Sequence, residues 1–325
     1  MIVLGISETH CATAAILRDG AIVGCASEER FTRLKNDAGY PRLAIDALLR
    51  GLGLTAGQID LVALAGRRAY AREWMNRVLH DADYAREYYG VRLVEARGGL
   101  ERRARKLGAR LGLVEPARGK FELPEAERLG LVTGHLGLGA ERIVTLDHHA
   151  CHAAAAYFGS PFGGAEALVL TNDNSGDGLC ATASRGRGTV LTRHEAAPSA
   201  PGSLGSFYSF VTLLLGMKFG EHEYKVMGLA PYAPAAGAAR ATAAFGEVFG
   251  LSEGTPATFA WRRRGARYPL LAEATLGQRF DAIAGGAQQV VEDTLLAWAR
   301  LMRARHGGER LALGGGVFMN VKANM

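Results

Sequence analysis

The 325 residues suffice for two domains or one large duplicated fold, and 22% charged with 48% hydrophobic residues is the balance of an ordinary globular protein. Every apolar run stays below the roughly 18 residues of a membrane span, and the start, Met1-Ile2-Val3-Leu4, lacks the basic lead of a signal peptide, so the expectation is a cytoplasmic protein with no membrane partner. The net charge of +6 comes from arginines at Arg67-Arg68, Arg102-Arg103, Arg105 and Arg262-Arg263-Arg264; no aromatic residues interleave with them, so they read as solvated faces rather than a nucleic-acid surface.

In chain order, residues 2–6 form an apolar strand, a polar loop holds Ser7 to Cys11, and residues 13–17 and 21–26 are strands joined by the tight turn Asp19-Gly20. Residues 44–52 read as helix, 59–65 as strand and 67–111 as largely helical. A strand over 142–146 runs into Asp147-His148-His149-Ala150-Cys151-His152 and an alanine-rich helix to residue 158.

The opening plan then recurs about 165 residues later. Strand 167–171, polar loop 172–178, strand 179–183, turn 185–188 and strand 189–193 repeat strand, loop and hairpin. Such repetition predicts two related α/β halves, each opening with a β-meander whose first loop points at a shared cleft. This is the actin-like plan, also called ASKHA or duplicated RNase H-like, of the sugar kinases and Hsp70. The halves are set at 1–165, with a helical insertion about 67–120, and 166–325. Helices follow over 206–215, 236–249 and 287–305, then a strand over 310–313 and the turn Gly314-Gly315-Gly316-Val317-Phe318-Met319-Asn320.

Four cysteines without CxxC spacing exclude a zinc ribbon or a disulfide scaffold. Cys151 lies between histidines, as a nucleophile would, yet a small packed residue reads the same. His148 and His152, four apart, place two imidazoles on one helix face, a spacing that can grip one metal ion. His149 is the rival ligand at i,i+3 to His152. Asp173 and Asp177, after the repeated first strand, either supply a carboxylate to that ion or cap their own turn. Two imidazoles and one carboxylate suit a divalent metal, iron(II), manganese or zinc. The Gly-rich turn, between strand and helix, either lets backbone approach a nucleotide or makes a tight connection. The stretch from Glu221 to Tyr232 reads as a surface loop in which Lys225 could meet an anion, and Glu28 to Lys35 reads as a solvated loop.

Several of these segments together resemble the O-carbamoyltransferases of natural-product and nodulation-factor biosynthesis. They are Gly5-Ile6 with His10 and Ala12; Glu28-Glu29-Arg30-Phe31-Thr32-Arg33 with Lys35 and Asp37; and Tyr40-Pro41. Further along come His148-His149-Ala150-Cys151-His152-Ala153 with Ser160-Pro161-Phe162, and Asp173 with Gly176. Tyr224-Lys225-Val226-Met227-Gly228-Leu229-Ala230-Pro231-Tyr232 and Gly315-Gly316-Val317 with Asn320 complete the set, in family order across nearly the whole chain.

The resemblance implies an actin-like N-terminal part, similar to the tRNA threonylcarbamoyladenosine synthase subunit, which holds iron and transfers a carbamoyl group to a hydroxyl. It also implies a C-terminal domain that makes carbamoyladenylate from carbamoyl phosphate and ATP. Carried over by position, His148, His152 and Asp173 are metal ligands, and a further family aspartate falls beyond Met325. His10 and Lys35 match the transfer site, while Gly315, Gly316 and Asn320 match the nucleotide turn. The chain departs from the family at His10-Cys11, where His-Asp is usual, and at Asp173-Asn174-Ser175-Gly176-Asp177, where Asp-Gly-x-Gly-Glu is usual.

The expected partners are carbamoyl phosphate, ATP and a hydroxylated small-molecule acceptor. The chain is further expected to lack the carbamoyladenylate-forming domain, so a partner subunit or the missing domain is expected too. The alternatives are a non-catalytic nucleotide- or carbamoyladenylate-binding subunit of a split enzyme, and a tRNA-modifying enzyme of the threonylcarbamoyladenosine type.

Overall fold

Alternating burial along the first strands builds the first sheet. In β1 (Ile2–Ser7), Leu4 and Ile6 point into the core; in β2 (Thr13–Arg18), Ala14 and Ile16 do. β3 (Ala21–Ser27) follows Asp19 and Gly20, both with positive φ, as a two-residue hairpin turn requires. The computed structural model describes residues 1–89, 121–263 and 265–325. Part of the helical stretch expected over 67–111, part of the insertion expected over 67–120, and Arg102, Arg103, Arg105 and Arg264 lie outside the described residues.

After the single turn α1 (Glu29–Thr32) and α2 (Arg42–Gly51), β4 (Leu61–Ala65) pairs parallel to β1. Helices α3 (Arg72–His80), α4 (Ala82–Tyr88) and α5 (Glu125–Leu136) precede β5 (Ile143–Leu146), which pairs parallel to β4. The sheet order is β3-β2-β1-β4-β5. Ile45 and Leu48 of α2 and Val132 and Leu136 of α5 cover it. His135 Nε2 donates to the Asp46 carboxylate at 2.9 Å, and its Nδ1 lies 3.0 Å from the Tyr40 hydroxyl, tying α5 to α2.

The second sheet repeats this plan. α6 (His148–Phe158) leads to β6 (Ala167–Gly176), β7 (Leu179–Arg187) and β8 (Val190–Pro198), an antiparallel meander. After α7 (Leu204–Leu214), α8 (Glu223–Leu229), α9 (Ala235–Gly246), the hairpin β9 (Phe249–Ser252) and β10 (Thr258–Trp261), α10 (Arg267–Ala274) and α11 (Phe280–His306), β11 (Leu311–Gly314) pairs parallel to β6. The order β11-β6-β7-β8 matches β4-β1-β2-β3 strand for strand, so the chain has the duplicated α/β, actin-like fold. Leu168 and Leu170 face a core with Phe207, Phe245, Phe249 and Trp298, while Ala167 and Val169 face α6 through Ala153 and Tyr157. Gly285 and Gly286 let α11 lie directly on α9 and the turn before it: a Cβ at Gly286 would stand 2.4 Å from that of Ala241.

Among the described residues, one compact unit holds 1–88 and 121–148, the other 89, 149–263 and 265–325. The division falls inside α6, ahead of the 165/166 boundary expected from sequence.

Several element boundaries are corrected. β6 runs through the expected polar loop to Gly176, and Asp177 and Gly178, both with positive φ, make the turn. The ladder is interrupted between Asn172 and Gly176, which is why polar residues occupy a strand. β7 likewise continues through the expected turn to Arg187. The helix expected to end at 249 stops at Gly246, and Phe249 opens a hairpin, because its ring stacks on Phe207 at 4.7 Å. The helix expected at 287 begins at Phe280, and Lys225 sits on α8 rather than in a loop.

The segment from Glu28 to Lys35 is not simply solvated. Glu28 is buried, and its carboxylate accepts N–H bonds from Leu43 and Ala44 at 3.1 and 2.8 Å, capping α2 from across the chain. Glu29 accepts from the Asn36 N–H at 2.8 Å. Just beyond, the fully buried Asp37 carboxylate accepts from Arg72 at 2.7 Å and Asn76 at 2.9 Å.

Candidate functional site

α6 is alanine-rich, so it lies close on the sheet, with Ala153 and Tyr157 packed on Ala167, Val169 and Ala312. His149 turns inward and is fully buried; its Nδ1 lies 2.7 Å from Thr171 Oγ1, which lies 2.7 Å from Thr182 Oγ1. His149 therefore joins the helix to β6 and β7, a role different from the ligand role open to it in the sequence.

One turn along, His152 faces Asp173, with Nε2 3.0 Å from Oδ2. Asp173 lies where the ladder of β6 is interrupted, and its other oxygen accepts the Asn174 N–H at 2.7 Å. Among the described residues, His148, His152 and Asp173 form a group whose ligand atoms all lie within 4.8 Å of one another, each side chain half-buried. The three stand on one helix and the end of one strand. Two imidazoles and a carboxylate this close fit a divalent cation of the transition series. Asp177 lies at the hairpin turn and is not a member of the group.

The Gly-rich turn sits against this group. A Cβ at Gly314 would stand 2.7 Å from the His152 carbonyl oxygen, one at Gly316 2.9 Å from Asp173 Oδ1, and one at Gly315 2.4 Å from the Asn172 carbonyl oxygen. Gly315 also carries φ of +95°. The glycines thus bring β11's end against the helix and strand that carry His152 and Asp173. Asn320 exchanges two 3.0 Å hydrogen bonds with Gln288, so its carboxamide is engaged within the fold. Asn172 is fully buried, and its carboxamide has no hydrogen-bond partner among the described residues.

In the first unit, β1, β4 and β5 run parallel, so the loops after Ser7, Ala65 and Leu146 share one sheet edge. This edge carries exposed His10 in the first loop and leads to His148. Ala12 N–H donates to the Asp37 carbonyl at 2.8 Å, and Cys11 Sγ lies 3.4 Å from Asn36 Oδ1. Those bonds bring the loop of His10 beside that of Lys35, whose charge reaches Cys11; burial pushes the Cys11 thiol up, Glu29 adds to the rise, and Lys35 opposes it. Lys225, on α8, is exposed, with Nζ 2.9 Å from His222 Nε2.

Sequence reasoning passed over Glu8 and Arg128. Both are about 2% exposed at the side chain, and Arg128 Nε donates to Glu8 Oε2 at 2.5 Å. Burial pushes the Glu8 carboxyl above its ordinary range, and the Arg128 charge offsets this in part. A charge in the first loop and another amid a helix gave no local sign of pairing, since 120 residues separate them.

Residues 2–325 match the family described as carbamoyltransferase N-terminus. An uncharacterised protein of Synechocystis is 32% identical over 99% of this chain and 51% of its own length. Nodulation protein NolNO of Sinorhizobium fredii is 29% identical over 69% of this chain and 28% of its own. The chain thus spans about half the length of the Synechocystis relative and less of NolNO. Among solved structures, component A of the (R)-2-hydroxyglutaryl-CoA dehydratase of Acidaminococcus fermentans aligns with 13% identity and a TM-score of 0.45, over 100% of this chain and 86% of that one.

Proposed function

Because this chain belongs to the carbamoyltransferase N-terminal family, we propose that it transfers a carbamoyl group from carbamoyladenylate, made from carbamoyl phosphate and ATP, to a hydroxyl of a small-molecule acceptor. The observation that carries the reading is the family match over residues 2–325. In the transfer, the acceptor oxygen bonds to the carbamoyl carbon, the bond to the adenylate phosphate breaks, and AMP leaves. His10, exposed at the shared edge, takes the hydroxyl proton, a task suited to an imidazole near neutral pH. Lys35 and Lys225 offer positive charge to phosphate groups, and the close-packed backbone at Gly315 and Gly316 is the nucleotide contact. Asn320, held by Gln288, supports that turn from within.

His148, His152 and Asp173 would hold the divalent metal, iron(II) by family likeness, with manganese and zinc compatible with the same donors. When bound, such an ion supplies Lewis acidity toward a carbonyl or phosphoryl oxygen. Imidazole and carboxylate donors would hold the ion only without their protons, so metal affinity falls with acid.

The test is incubation of the chain with synthetic carbamoyladenylate and a panel of hydroxylated acceptors, read by mass spectrometry. A carbamoylated product that disappears in His10→Ala is the expected result; hydrolysis alone, with every acceptor unmodified, overturns the reading.

A further inference from the structure

One guanidinium in the first unit is spent on three partners that belong to two different strand ends. Arg128, on α5, donates to Glu8 Oε2 at 2.5 Å, to the Gly66 carbonyl at 2.8 Å and to the Arg67 carbonyl at 3.0 Å. Glu8 follows β1 and lies two residues before His10; Gly66 and Arg67 follow β4. The Gly66 N–H donates in turn to the carbonyl of Leu146, two residues before His148. Gly66 also backs the His148 side chain: a Cβ built on it would lie 3.9 Å from Nδ1 and 4.0 Å from Cβ of that histidine.

A buried ion pair is weak evidence for stability, since desolvating two charges cancels most of their attraction. Glu8 underlines this, because its Oε1 is buried and has no hydrogen-bond partner among the described residues. An apolar pair would fill the same space. What an apolar pair cannot do is fix the direction of two peptide carbonyls and one loop carboxylate at once. The planar fork of arginine can, and a lysine, with one compact ammonium, cannot.

We propose that Arg128 is a positioning residue: through the Gly66 turn it sets the place of His148 within the metal group, and through Glu8 the place of the loop that carries His10. The inference rests on the reading of His148, His152 and Asp173 as metal ligands. It is the pattern by which groups outside a coordination shell tune a site, here through backbone rather than a direct bond to the ligand.

The test is a cobalt(II) titration of the full chain, followed by the visible absorption of the bound ion, well below the melting transition. Wild-type protein binds, and His152→Ala does not. R128K, which keeps the charge but loses the fork, binds cobalt about tenfold more weakly and with a changed band, the low end for an outer partner. E8Q, which keeps both carbonyl bonds, leaves cobalt affinity near that of wild type and shifts the His10 imidazole resonances in NMR spectra. If R128K does not fold, E8Q/R128Q, which removes both buried charges together with the fork, is titrated in its place. A lowered melting temperature with wild-type affinity and an unchanged band in the Arg128 variants, or unmoved His10 resonances in E8Q, overturns the proposal, leaving the metal reading intact. Failure of the wild type to bind, or binding that survives His152→Ala, overturns the metal reading and this inference with it.

Discussion

Gly315 shows how closely single residues are constrained near the candidate metal group. An alanine there meets the Asn172 carbonyl oxygen at 2.4 Å on a backbone with φ of +95°. Clash and strain add, so Gly315→Ala should lower stability by about 3 kcal/mol in urea unfolding. An unchanged midpoint would mean that β11 does not lie against β6 as described. The three glycines were visible in the sequence, but not their reason, because the atoms they avoid lie on residues 152, 172 and 173. The histidine pair was legible for the opposite reason: i,i+4 spacing is a local property of a helix, and α6 begins at His148. His149 was not, since burial against Thr171 depends on a strand that follows it by 22 residues.

At the scale of elements, the same division between local and distant causes holds. The meander strands announced themselves through alternation and the Asp19-Gly20 turn. α2 did not announce its cap. Pro41 stands at its N-cap without a side-chain bond, and the orphan N–H groups of Leu43 and Ala44 are satisfied by Glu28, 15 and 16 residues upstream. Glu28→Ala leaves both N–H groups, that of Ala44 buried, without the carboxylate and should cost about 2 kcal/mol in thermal or urea unfolding. Glu28→Gln, which still accepts one bond, should recover part of the loss. Equal losses for the two variants would show that shape rather than the cap matters. The boundaries that moved, at Gly176, Arg187 and Gly246, moved where partner strands or aromatic packing outweighed polar and turn composition.

For the molecule as a whole, acid is the informative stress. The chain carries +6 at neutral pH, and protonating carboxylates adds to its self-repulsion. Asp37 has a specific part in this. Burial disfavours its charge, but hydrogen bonds from Asn76 and Thr32 and the Arg72 guanidinium outweigh burial and hold the carboxyl below its usual range. A lowered folded-state pKa means stability that is present above the unfolded pKa, about 3.9, and lost as the pH falls through the folded one. Asp37→Asn should therefore be less stable than wild type at pH 7, and the gap should shrink below about pH 4. A gap that stays constant in urea melts from neutral to acid pH would contradict this assignment.

Local pattern alone determined the strands of both meanders, their repetition, the helical spacing of His148 and His152 and the family motifs, because each is written within a few neighbouring residues or in their order. Tertiary structure decided that Asp173 and His152 meet at 3.0 Å, that Gly314, Gly315 and Gly316 press against His152, Asn172 and Asp173, and that Arg128 holds Glu8, Gly66 and Arg67. These depend on burial and on pairing between distant segments, and the energy of a buried charge or a close backbone contact is defined only once the chain has surrounded it.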